Sequence, residues 1–160
     1  MGVVMFHDTY AVDKQGQACM ATTIRQGSIA DLNALIAFDD VAASDEMRRN
    51  QIENGLRDSE VSVALVDGIP KGYALLNYRF FGHPFIELLY VASESRRSGI
   101  GSRLIKNVEN HAHGPKLFTS TNQSNEAMRA LLHRLGFEES GIIHNLDPGD
   151  PELVFVKFLS

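Results

Sequence analysis

The sequence predicts a single α/β domain in which a mixed central sheet carries helices on both faces, in the order βααβββαβαββ. Three observations lead there. The chain has 160 residues, 44% hydrophobic and 22% charged, which suits one globular core. Short β-branched runs alternate with stretches whose apolar residues recur every three or four positions. One strand-like run, Phe85–Val91, passes through a glycine-containing loop straight into a helical pattern that opens at Gly99.

Residues 1–19 keep neither period and carry Gly2 and Gly16, so they read as a poorly structured tail or extension. Residues 20–160 form the expected domain, with Met20 as its start. Thr22–Arg25 reads as a first strand. Ser28 and Asp31 make a near capping box, and Ile29, Leu32, Leu35 and Ile36 repeat at helical spacing behind it. A second helix is expected over Asp45–Arg57, with Met47, Ile52 and Leu56 as its apolar face. Val61–Val66 is a strand closed by Asp67-Gly68, a hairpin-type pair, and Gly72–Phe81 is its partner. Gly82-His83-Pro84 punctuates before Phe85–Val91. The helix opened by Gly99 places Ile100, Leu104, Ile105, Val108 and Ala112 on one side. Leu117–Thr121 is a strand. Asn125–Leu135 is a helix with Met128, Leu131, Leu132 and Leu135 at helical spacing, and Gly136 suits its C-terminal cap. Two strands, near Gly141–Asn145 and Leu153–Leu159, close the domain around the turn Asp147–Pro151.

Composition narrows the function. Fifteen basic against 20 acidic residues give a net charge of −5, and no Lys/Arg run exceeds two, which argues against a nucleic-acid partner. A single cysteine, Cys19, rules out an internal disulfide framework and fits a reducing, cytoplasmic setting; it has no evident histidine partner for nucleophilic work. No apolar run is long enough for a membrane span. His111 and His113 read as cations at a helix end, and no metal site is expected.

The segment Ile86–Ser102, IELLYVASESRRSGIGS, carries the chemistry. The first amides of a helix have no intrahelical partner, and the helix dipole adds positive potential there. Gly99 and Gly101 let the backbone approach an anion, while Arg96 and Arg97 supply countercharge. A dinucleotide fingerprint would need a third glycine where Leu104 stands, and a P-loop would need a Gly-Lys-Ser/Thr triplet that the chain lacks. What remains is Arg-x-x-Gly-x-Gly, with Asn125 followed eleven residues later by Gly136-Phe137.

These two signatures resemble those of the GNAT acyltransferase superfamily, and the likeness runs over about Ala21–Leu159. The resemblance implies an acetyl-CoA-dependent N-acetyltransferase with no metal, acting on a primary amine by direct transfer in a ternary complex. It implies that the backbone of Leu89, Tyr90 and Val91 pairs with the pantetheine arm and that the amides of Arg97, Ser98, Gly99, Ile100, Gly101 and Ser102 cradle the pyrophosphate. Arg96 adds charge and Asn125 bonds the arm. Ile86-Glu87-Leu88-Leu89-Tyr90-Val91 is similar to the strand of small-molecule members in which the glutamate acts as base through water, so Glu87 is the catalytic candidate. By strand alternation Glu87 shares an apolar face with Leu89 and Val91, and Tyr90 lies on the other face as a packing residue. Leu132 stands where many members carry an acidic tyrosine, and a thiol of pKa roughly 8.5 leaves well without one.

Asp39 and Asp40, between the first two helices, sit where the family often builds its acceptor pocket, and Tyr78 on the third strand is a further acceptor-side candidate. The implied partner is a small, cationic amine. A protein N-terminus or lysine is the enzymatic alternative, and a catalytically weak acyl-CoA-binding module is the non-enzymatic one. The family's frequent dimers make a homodimer an expectation.

Overall fold

The computed structural model describes residues 21–160; the expected tail, Met20 and Cys19 lie outside the described residues. The elements follow the expected order: β1 Thr22–Gln26, α1 Leu32–Phe38, α2 Glu46–Arg57, β2 Val61–Val66, β3 Ile69–Phe80, β4 His83–Val91, α3 Ile100–His111, β5 Lys116–Asn122, α4 Glu126–Arg134, β6 Glu138–Asp147 and β7 Asp150–Phe158. One seven-stranded sheet runs β1-β2-β3-β4-β5-β7-β6. Every neighbouring pair is antiparallel except β4 and β5.

Each sheet face buries its own core. Ala64, Ala74, Ile86 and Phe155 pack with Ile100, Leu104 and Leu132 beneath α3 and α4. Val63, Tyr73, Leu75 and Leu88 pack with Leu35, Ile52 and Leu56 beneath α1 and α2. Asp67 and Gly68, both at positive φ, make the tight turn between β2 and β3. No helix among the described residues is long and apolar enough to cross a membrane.

The details depart from the expected elements where side chains intervene. Residues Ile29–Asp31 form a 3-10 turn before α1 instead of its first turn. Asp31 accepts the Ser28 amide and is held in a two-bond ion pair with Arg25, both bonds 2.8 Å. Met47 is 69% exposed, so the inner face of α2 is Ile52, Gly55 and Leu56. Gly55 permits that approach, because a Cβ there would stand 2.6 Å from Leu75 Cδ1. The closing strands are longer than expected, and β6 is an exposed edge along its whole length.

The consequential departure lies in β4. Leu75 pairs with Leu88, and the next residue of β3, Leu76, pairs with Ile86. Glu87 is therefore the extra residue of a β-bulge, which breaks the two-residue alternation at that point.

Candidate active site

Strands β4 and β5 pair only at Phe85–Phe118 and Ile86–Thr119. Beyond that point the strands separate, and the Thr119 hydroxyl donates to the Ile86 carbonyl at the fork, 3.0 Å away. From Leu88 to Val91, β4 has a strand partner only on its β3 side among the described residues. Its other edge is open to an extended ligand.

On the α3–α4 side this opening leads into a cleft of about 690 Å³. Leu89 and Val91 line one side, the loop and first turn of α3 the end, and Met128, Leu131 and Arg134 of α4 the other side. Arg97 at φ +60° and Gly99 at φ +85° turn the loop into the helix. The Arg103 amide donates to the Gly99 carbonyl at 3.0 Å, the first helical bond of α3, so the amides of Ile100, Gly101 and Ser102 precede the hydrogen-bonded ladder. Gly101 keeps the cleft open. A Cβ on it would stand 3.3 Å from Leu131 Cδ2 and 3.9 Å from Val91 Cγ2. Arg96, Arg97 and Arg134 border the cleft and no acidic side chain lines it among the described residues, a charge pattern suited to a polyphosphate.

Not every expected cofactor residue contributes in the expected way. Arg96 bends back, its Nε donating to the Val91 carbonyl at 3.1 Å and its guanidinium lying 5.3 Å from the Tyr90 ring centre. The Ser98 hydroxyl donates to the Ser95 carbonyl within the loop. Asn125 Oδ1 accepts the Met128 amide at 3.1 Å and caps α4. Tyr90 turns its side chain to the opposite face, where its ring clusters with those of Phe38 and Tyr73, centroids 6.3 and 6.4 Å away, and it exchanges hydrogen bonds with Asp40 at 3.0 and 3.1 Å. Only its backbone meets the opening.

Glu87 is corrected in orientation. The bulge puts its side chain on the α1–α2 face with Leu88 and Tyr90, opposite Leu89 and Val91. Its surroundings are polar: Gln51 Nε2 donates to Oε1 at 3.0 Å, Asn77 Nδ2 donates to Oε2, and Arg79 lies 3.8 Å away. The carboxylate is oriented at both oxygens yet 29% exposed, so water or an amine can reach it.

Asp39, expected to face the acceptor, is instead a core anchor, 1% exposed. Its Oδ1 accepts the amides of Val41 and Ala42 at 2.9 and 3.1 Å; its Oδ2 accepts from Arg48 Nε at 3.0 Å and the Tyr73 hydroxyl at 2.5 Å. Burial pushes its pKa up, but the bonds from Tyr73 and Arg48 outweigh that and hold the carboxyl below the ordinary aspartate value. Asp40 is exposed and tied to Tyr90. Tyr78 is also displaced from its expected place. It lines an opening beside the C-terminal part of α3, and its hydroxyl accepts the His113 amide at 2.8 Å. Leu132 is fully buried, so Leu131 rather than Leu132 borders the cleft. His133 lies at the surface, 3.6 Å from Glu139.

Sequence reasoning missed Arg134, Gln51, Asn77 and Arg79. An arginine in the last turn of a helix reads as a partner of the dipole. Asn77 and Arg79 meet Glu87 through the bulged register of β3 on β4, and Gln51 meets it from α2, 36 residues away, so no local pattern reports them.

The fold and cleft can be set beside known proteins. The model of the acetyltransferase (GNAT) family matches residues 29–137. A GNAT-family acetyltransferase from Bacillus cereus ATCC 10987 superposes with a TM-score of 0.82 at 31% identity, over 88% of this chain and 99% of that one. A ribosomal-protein-alanine N-acetyltransferase from Brucella melitensis gives 0.67 at 29% identity, over 86% and 99%. The yncA protein of Salmonella typhimurium, solved with its cofactor acetyl-CoA, gives 0.70 at 20% identity, over 88% and 95%. Comparison with curated proteins finds no match. With the family model spanning most of the chain and a sheet that forks at β4 and β5, the protein belongs to the GNAT family of acetyltransferases.

Proposed function

We propose that the protein moves the acetyl group of acetyl-CoA to the primary amine of a small cationic acceptor, with both bound at once. One observation carries the reading: β4 parts from β5 after Ile86, so Glu87 on the α1–α2 face is the first residue past the fork, and Leu89 and Val91 beyond it line an arginine-bordered cleft on the α3–α4 face. The cleft fits the donor. Its end offers the early amides of α3 and two arginines to a diphosphate, and the open edge of β4 suits a pantetheine arm. When bound, acetyl-CoA supplies an activated thioester. The chain's part is to hold the two reactants in line across the sheet and to accept a proton.

Glu87 is the proton acceptor in this reading, directly or through one water. A primary amine of pKa about 10 is only on the order of a thousandth neutral at pH 7, so a positioned base speeds the step. Gln51 and Asn77 fix the carboxylate and leave it partly open to solvent. Asp40 beside Tyr90 adds a second exposed negative charge on the acceptor side, which favours a cation. The single cysteine suits work in the reducing cytoplasm.

A second reading, a protein N-terminal amine as acceptor, is favoured by the likeness to the Brucella protein named for ribosomal-protein-alanine acetylation. Thiol release from acetyl-CoA, measured with aliphatic diamines and with an alanine-initiated peptide, separates the two. Glu87→Gln is expected to lower kcat by roughly 10²–10⁴ while the acetyl-CoA Kd stays unchanged. Full activity in that variant removes Glu87 as the base. Wild type with no turnover on either acceptor class points instead to an acyl-CoA-binding module.

A further inference from the structure

Helices α1 and α2 build their core on β2, β3 and Leu88 and Tyr90 of β4, and no residue of β5, β6 or β7 joins it among the described residues. Ahead of the fork, the same side of β4 and β5 carries aromatic rings instead. Ile86 and Leu117 are buried beneath α3 and α4, so by strand alternation Phe85 and Phe118, paired across the two strands, face the α1–α2 side. Phe80 joins them, its ring centre 4.8 Å from that of Phe85 and 5.2 Å from that of Phe118, and Phe81 meets Phe80 edge-on at 5.0 Å. Four of the chain's nine phenylalanines therefore form one shelf. Phe85 and Phe118 are only half-buried and Phe81 is 87% exposed, which leaves this apolar surface in contact with water.

The shelf begins at Glu87. Phe85 lies two residues before it and pairs across β3 with Asn77, which donates to the Glu87 carboxylate. Gln51 orients the other carboxylate oxygen from α2, and the side chain stays 29% exposed. A fixed, solvent-reachable carboxylate at the edge of an aromatic surface is complementary to an amine joined to an apolar group. A second charge on that group would have to shed water against the rings.

We propose that this shelf seats the carbon skeleton of the acceptor, which makes the acceptor a primary amine bearing an aryl or alkyl group, with Phe85 and Phe118 as specificity-determining residues. The inference rests on the acetyl-transfer reading of Glu87 and narrows it: the nitrogen lies at Glu87 and the apolar group runs back along β4 and β5, away from the fork.

Calorimetry and backbone amide NMR with coenzyme A present, where no transfer can occur, test the seating apart from the chemistry; thiol release from acetyl-CoA then tests the transfer. The probes are 2-phenylethylamine, ethylamine and 1,4-diaminobutane. The phenyl compound is expected to bind about tenfold more tightly than either of the others, with saturable shifts at Phe85, Glu87, Phe118 and Ser120. Phe118→Ser should cut that preference to about threefold or less, and Phe118→Leu, which keeps an apolar side chain, should retain most of it. Should Phe118→Ser fail to fold, the wild-type shifts and affinities decide. Preferential seating without thiol release supports the shelf and refutes the transfer reading. Thiol release with equal kcat/KM for 2-phenylethylamine and ethylamine keeps the transfer reading and overturns the shelf. Equal binding of the three amines, shifts confined to other segments, or an undiminished preference in folded Phe118→Ser would overturn it too. So would a dimer in sedimentation that Phe81→Asp dissociates while no phenylethylamine binds, since the face then belongs to a second copy.

Discussion

Replacing Asp39 by asparagine distinguishes a carboxylate that holds the fold from one that holds a substrate. Asparagine keeps an oxygen in the Oδ1 place, which is sufficient for the amides of Val41 and Ala42. In the Oδ2 place it puts an NH2 group against two donors, Arg48 Nε and the Tyr73 hydroxyl. Arg48, only 17% exposed, then keeps its charge without a counterion. Breaking a buried pair from one side costs about 3–5 kcal/mol, and a domain of this size loses about 2–4 °C per kcal/mol, so Tm should fall by roughly 6–20 °C. Thermal unfolding of both proteins by circular dichroism measures the loss. Steady-state kinetics, at a temperature where both are folded, should return an acceptor KM close to wild type. An unchanged Tm with a strongly raised acceptor KM would refute the assignment and return Asp39 to the acceptor pocket.

Tyr90→Phe should keep turnover, because the ring remains packed with Phe38 and Tyr73 and only the bonds to Asp40 are lost. The expected stability loss is about 1 kcal/mol by denaturant titration, and a collapse of kcat would make the phenol a catalytic acid instead. Acid sensitivity follows from the carboxyls of Asp31 and Asp39, both held below their ordinary value. For Asp31 the first cause is the bond from Arg25; for Asp39, burial acts upward and is outweighed by Tyr73 and Arg48. A depressed folded value stabilises fully above the unfolded value, about 3.9, and is lost as pH falls through the folded one. Melting curves should therefore drop below about pH 4, with a shallower acid loss in Asp39→Asn; identical acid profiles would contradict this.

The element order was legible because each element announces itself locally. The period of Ile100, Leu104, Ile105 and Val108 matches the buried stripe of α3, and the glycine at its start takes the positive φ its position requires. The loop chemistry was legible for the same reason. The orientation of Glu87 was not, since a bulge is a property of how β3 and β4 pair and leaves no trace in the alternation of β4 alone. Asp39 reads as an acceptor-side acid between α1 and α2 until Tyr73, 34 residues on, brings its hydroxyl to it. Met47 fits the helical stripe of α2 by spacing but falls on the outer side of its first turn. The fork itself is legible only in three dimensions, as strand separation has no residue of its own.

If the cleft between α3 and α4, continuing into the fork of β4 and β5, holds acetyl-CoA, then narrowing it must weaken that binding. Calorimetric titration of acetyl-CoA into wild type and Gly101→Leu tests it most directly. Leucine is a good helix former, so α3 should persist, while its side chain enters the gap in which a mere Cβ already stands 3.3 Å from Leu131. Wild type should bind one-to-one, and Gly101→Leu should bind about tenfold to a hundredfold more weakly, with Tm little changed. Wild type that does not bind, or a variant that binds equally well, would contradict it.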